Sequence, residues 1–287
     1  MKKADQEDID YWIAQNTRIL RKRAENINSD WYQQEDLPVH SAYAGAAMDY
    51  ADLGRARFLN GEPPERFRAE FSAAGKCMLK CFKMAYDVTD PDYVGDKPKP
   101  PKAPSAGYGQ VNWSAVMETN AIDGFNYALM GADFETAREL AYWYQDSKDG
   151  KKMDAVVNLY TYAYKYALLN ELQKGQLLLE KTLQEYAEKP PKTGGDMHYF
   201  TLSMTLYGIL KRDEALFNEG LALQLAFYKK SHIPAEDLWG TAEEFICDYA
   251  VALSNLALDA GLRVTVEHDL LPKGLLIGGL NKPQKEG

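Results

Sequence analysis

The sequence predicts an all-α protein built of antiparallel helix pairs, distantly tetratricopeptide-like, laid in one curved stack. Three observations carry this expectation. Apolar residues recur at three and four positions through most of the chain, which is the spacing of amphipathic helices. Segments alternating apolar and polar residues, as half-buried strands do, are nearly absent. Short polar turns separate Ala- and Leu-based segments at regular intervals in the second half. With 287 residues of which 46% are hydrophobic, the chain can bury a sizeable core as one continuous domain.

The elements follow in order. Ile9, Trp12, Ile13, Ile19 and Leu20 open a first helix that runs to about Ile27, and Pro38 then breaks the chain. His40 to Leu59 is rich in alanine, a strong helix former, and the turn Gly61-Glu-Pro-Pro64 stops it. Pro64 and Glu65 start the next helix, which passes through Phe67, Phe71, Met78 and Phe82 and ends near Tyr86. Residues 87–112 form a proline-rich loop, because the prolines between Asp90 and Pro104 remove donors and clash with any preceding helical turn. The chain thus divides into N-terminal helices (1–86), this loop, and a helical-pair region with a C-terminal cap (113–277).

In that last region Met130 to Ala137, Asn170 to Gly175 and Gly208 to Ala215 each read as the turn inside a helix pair. Lys148–Lys152, Pro190–Gly195 and His232–Pro234 read as the breaks between pairs. The step from Ala137 to Ala215 is two intervals of about 39 residues, longer than the roughly 34 of a tetratricopeptide repeat, so HEAT-like pairs stay open on length. Ala235 to Ala260 is expected to be the final helix, with Gly261 as its C-terminal cap. Arg263 to Val266 is a short extended piece expected to lie along the helices.

Composition narrows the function. Acidic residues outnumber basic ones 42 to 33, a net charge of -9, which disfavours nucleic acid and suits a basic partner. The N-terminus carries lysines and acids without an apolar signal core, and no apolar run reaches the roughly 18 residues of a membrane span, so no membrane contact and a cytoplasmic location are expected. Cys77, Cys81 and Cys247 are expected to be reduced thiols.

No catalytic residue, metal site or cofactor is expected. His40, His198, His232 and His268 stand far apart and form no metal-binding pair. Gly107 and Gly109 lack the strand and the lysine of a phosphate cradle, and Gly278-Gly279 falls in the tail. Ser105, Ser203 and Ser254 have no nucleophile-elbow context.

The aromatic clusters are the better candidates. Tyr142-Trp143-Tyr144 closes one helix, and Tyr160, Tyr162, Tyr164 and Tyr166 follow on the next. Tyr160 with Tyr164, and Tyr162 with Tyr166, form two rows about 200° apart. Either the helix is buried on both sides or one row faces a groove. Trp239, Glu243 and Asp248 combine an aromatic anchor with acids. The residues expected to bind a partner are therefore Tyr142, Trp143, Tyr160, Tyr164, Trp239, Glu243 and Asp248.

The C-terminal segment carries Leu253, Leu256 and Ala257 on an apolar helix, then Gly261-Leu262, Val264, Pro272 and Leu275-Leu276. It resembles the end of immunity protein family 49 of bacterial polymorphic toxin systems. The specific likeness covers about 30 residues and a looser helical likeness the last 170 or so, both counted against the 287-residue chain. The N-terminal 110 residues, by the same count, match no family named here. The resemblance implies a non-enzymatic inhibitor that binds the toxin domain of a contact-dependent or type VI system and occludes its active site. The toxin would be a basic nuclease, deaminase or ADP-ribosyltransferase. A helical-repeat scaffold with no toxin partner is the alternative.

Overall fold

The computed structural model describes residues 4–96, 105–146, 153–188, 191 and 194–278. Prolines 98–104 of the loop, the break at Lys148–Lys152, half of the Pro190–Gly195 break and Gly279 lie outside the described residues. Among the described residues 72% are helical and none is in a strand.

The N-terminal part contains α1 (Gln6–Ile27), a short α2 (Trp31–Gln34), α3 (Val39–Leu59) and α4 (Pro64–Tyr86). A 3-10 turn at Trp113–Val116 leads into α5 (Glu118–Met130), α6 (Phe134–Trp143), α7 (Ala155–Leu168), α8 (Leu172–Glu188), α9 (Gly194–Lys211) and α10 (Glu214–Phe227). A π turn at Tyr228–His232 runs into α11 (Ile233–Ala235), then a 3-10 turn at Ala242–Glu244, α12 (Asp248–Asp259) and a last 3-10 turn at Lys273–Leu275.

Sequential neighbours pack as pairs, α3 with α4, α5 with α6, α7 with α8 and α9 with α10, and each pair lies on the next. One turn geometry is reused. Ala132, Asn170 and Arg212 each adopt a left-handed backbone, with φ of 58°, 58° and 56°. In each case the next amide reaches five residues back: Asp133 to Ala128, Glu171 to Tyr166, Asp213 to Gly208. This ties off the last carbonyls of the outgoing helix. Asp133 and Asp213 then cap the incoming helix, accepting from the Thr136 and Leu216 amides at 3.1 and 3.0 Å. The three polar turns read from the sequence are these three turns.

Close approach within the α9/α10 pair depends on glycine. A side chain at Gly208 would collide with the Phe217 backbone, and one at Gly220 would sit 2.6 Å from the Thr205 nitrogen. One buried hydrophobic cluster runs from Ala47 to Leu276 and takes in residues from both sides of the proline-rich loop.

The final helix is shorter than the sequence suggests. Residues 236–247 are not one helix: Asp237 and Gly240 take φ of 50° and 75°, which breaks the ladder before α12 begins at Asp248. Gly261, at φ 83°, follows α12, and Leu262 donates back to the Ala257 carbonyl at 2.9 Å. Packed against α5, α9 and α10, α12 is held inside the stack rather than at its end. The piece from Arg263 to Thr265 runs along α10, fixed by Asn218 and Glu214.

Candidate functional site

Helix α3 is alanine-rich and buried almost all round, yet it carries Arg55 with a side chain only 2% exposed. A buried guanidinium requires compensating acceptors. Its Nε donates to both oxygens of Asp248 at 3.1 and 3.2 Å, and Nη2 also reaches Asp248. Nη1 donates to Asp52, one turn back on α3, at 2.5 Å, and Nη2 pairs with Glu243 at 3.0 Å. Burial alone would lower the Arg55 pKa, but Asp248, Glu243 and Asp52 more than offset it and hold the cation firmly protonated. Asp248 opens α12, where the helix N-terminus favours a carboxylate. Arg55 thereby ties α3 to α12 and to the 3-10 turn of Ala242–Glu244.

The same region has a further acid. Asp123, on α5, is only half-buried although protein packs around it, so it sits in a recessed position rather than on an open face. Burial first, then the neighbouring Asp248, raises its pKa from 3.8 to about 7, with Arg55 opposing. One turn along α5, Tyr127 lies with its ring centroid 5.9 Å from the Arg55 guanidinium carbon. Tyr199 of α9 and Tyr249 of α12 also stand in the field of Asp123, and burial lifts both phenols above their ordinary range. Behind them, His198 meets Tyr249 edge-on at 4.9 Å and stacks on His232 at 5.1 Å. The result is a recess with four carboxylates, one guanidinium and an aromatic wall.

On the other side of the 3-10 turn lies a groove of about 480 Å³. Trp239, Phe58, Phe245, Ile233 and Leu270 line it, with Glu244, Lys229 and Asp269. That volume is ordinary for a binding groove, and Trp239 stands 55% exposed there.

The residues expected to bind a partner are thus distributed unevenly. Glu243 and Asp248 come together, but on Arg55 rather than in open solvent. Trp239 is an exposed anchor beside them in sequence, although not on a shared helix face. Tyr142 is 67% exposed and packs edge-on against Trp143 at the end of α6; the Arg55 network is built without α6. Tyr160 and Tyr164 are corrections: both are fully buried, packed with Phe125 and Tyr199, and present nothing to a partner. The half-buried row on that helix is Tyr162 with Tyr166, and Tyr162 donates to Asp146 at 2.9 Å.

Asp52, Arg55, Asp123 and Tyr127 were not singled out by the sequence reading. The available signals were a lone Asp-x-x-Arg pair inside an apolar alanine helix, and Asp123 one helical turn before Tyr127. Among the described residues no three His, Cys, Asp or Glu side chains are grouped to hold a metal ion, and no helix is long and apolar enough to cross a membrane.

Fold and site together define an all-helical protein whose most distinctive feature is an acidic, aromatic-walled recess beside an exposed tryptophan. The chain belongs to the immunity protein 49 family, whose model matches residues 65–275. The match begins well before the C-terminal segment that suggested it, and it spans the loop and α4, so the family likeness is not confined to the last 170 or so of the 287 residues. Asp123, Tyr127, Glu243 and Asp248 fall inside it, whereas Asp52 and Arg55 precede it. No curated protein and no solved structure matches the chain.

Proposed function

We propose that this protein neutralises a cognate bacterial toxin by binding its toxin domain and covering the active site, without turnover of its own. Family membership carries the reading. The charge supports it: a chain of net charge -9 suits a basic partner such as a nuclease. The docking surface in this reading is the groove at Trp239 and the recess beside it, with Tyr142 and Trp143 as a further exposed aromatic pair.

Trp239 would supply a desolvated anchor worth about 2 kcal/mol or more, and nearby exposed acids would mainly speed encounter. Glu243 and Asp248 are unsuited to charge reversal, since both hold Arg55. The exposed pair Glu236 and Asp237 replaces them. The test is co-expression with the toxin domain encoded beside this gene, with binding kinetics at two salt concentrations. Trp239→Ala is expected to speed dissociation, and Glu236→Lys with Asp237→Lys to slow association most at low salt. Unprotected cells expressing the wild-type chain, or no measurable complex, would reject the proposal.

A further inference from the structure

The recess at Asp123 has one carboxylate too many for the cation it holds. Asp52, Glu243 and Asp248 are occupied by Arg55. Asp123 has no hydrogen bond or ion pair among the described residues, though it lies within the field of Arg55, Asp248 and Glu243. Acidic excess alone would be an ordinary solvated face. Tyr127 sets this place apart. The residue is only 6% exposed, and its hydroxyl has no hydrogen-bond partner among the described residues. The Tyr144 and Tyr160 hydroxyls are sealed from solvent without a partner; that of Tyr127 is not among the sealed atoms and lies in the field of Asp123. An unused hydroxyl on a buried side chain, next to an unpaired carboxylate, is a half-made hydrogen-bonding site.

The missing half must be cationic and must tolerate aromatic walls. A guanidinium meets both demands. It offers a planar fork of donors that matches a carboxylate bidentately, it stacks on rings, and it sheds water more readily than an ammonium. Arg55 already displays this chemistry in the same place, with carboxylates at its edges and the Tyr127 ring 5.9 Å from its carbon. We propose that the recess receives an arginine side chain of the partner protein, its guanidinium on the Asp123 carboxylate and within reach of the Tyr127 hydroxyl. The proposal rests on the immunity reading for the identity of the partner, while the chemistry of the recess can be tested without it. Free arginine is a poorer fit than peptide-borne arginine, because its α-carboxylate would meet the surrounding acids.

The experiment titrates the full chain with N-acetyl-arginine-N-methylamide, followed by nuclear magnetic resonance, alongside the citrulline counterpart and free arginine. Saturable binding of the arginine amide is expected, with neither of the other two competing. Asp123→Asn should weaken it about tenfold or more, and Tyr127→Phe about threefold. Far-ultraviolet circular dichroism of Asp123→Asn should stay native and its melting temperature should not fall, since the change removes an unpaired charge. Equal binding of the citrulline amide, tighter binding of free arginine, or unchanged binding by folded Asp123→Asn would overturn the proposal. In co-expression with the neighbouring toxin, Asp123→Asn should lose protection. Full protection by that variant sinks the arginine recess and leaves immunity standing, whereas failure of the wild type to protect sinks the immunity reading and leaves the titration result intact.

Discussion

Arg55 shows how one residue can join parts of the chain far apart in sequence. Removing a buried cation from water is costly, and Arg55 recovers that cost only by meeting three carboxylates. The arrangement therefore fails asymmetrically. Arg55→Met would fill similar volume but leave Asp248, itself 8% exposed, without a partner. A loss of about 3–5 kcal/mol is expected, as for other buried pairs broken on one side. Urea unfolding of the variant checks this, and a loss under about 1 kcal/mol would show that the ion pairs do not fasten α3 to α12. Adding Asp248→Leu to Arg55→Met should recover part of the loss, because a buried charge without a partner costs more than an apolar replacement.

At the scale of elements, helix pairs are fixed by their turns and by backbone contact. Gly208→Ala would push a methyl group against the Phe217 backbone between α9 and α10, with the Phe217 Cα 2.6 Å away. Overpacking of this kind costs about 1–3 kcal/mol. Gly195→Ala, where the added carbon meets nothing within 4 Å, is the control and should be neutral or slightly stabilising. Equal thermal midpoints for the two variants would show that α9 and α10 do not need this close approach. The helices and their turns were legible in the sequence because the signals are local: periodic apolar residues, short polar turns between them, Gly61 and Gly261 as stops. The segment 236–247 was misread because its breakers, Asp237 and Gly240, take left-handed backbone that a lone Asp or Gly does not announce. The two tyrosine rows on α7 were correctly separated, but period alone does not tell which row faces the core, and Tyr160 with Tyr164 turned inward. The recess was illegible for a different reason. Its acids come from α3, α5, the 3-10 turn and α12, which only packing brings together.

For the whole molecule, buried titratable groups set how stability depends on pH. Burial lowers His40 from 6.5 to about 4, and burial with the adjacent His232 lowers His198 to about 3. Both are neutral in the folded state over a range where the unfolded chain binds their protons. Below about pH 6.5 the unfolded state therefore holds up to two more protons at these sites, and stability falls as pH falls. Asp123 acts in the opposite sense. Its folded pKa of about 7 lies above the ordinary 3.8, so between those values the folded state holds the extra proton, and stability is lost as pH rises toward 7. From these three groups alone the acid side retains a net slope of one proton, about 1.4 kcal/mol per pH unit, which peaks stability near neutrality. His232 and His268, also lowered, add to it, and Asp52, Glu70 and Glu243, raised, oppose it. Urea unfolding at pH 5, 7 and 8 measures this. Asp123→Asn should gain stability over the wild type at pH 8, gain little at pH 4, and show a steeper loss between pH 6.5 and 5 because the opposing carboxyl is gone. A double His40→Gln, His198→Gln variant should lose the acid arm and leave the falling contribution of Asp123. A wild-type profile flat from pH 5 to 8, together with no gain for Asp123→Asn at pH 8, would mean that these groups are not buried as described, and the recess would lose its unpaired charge along with them.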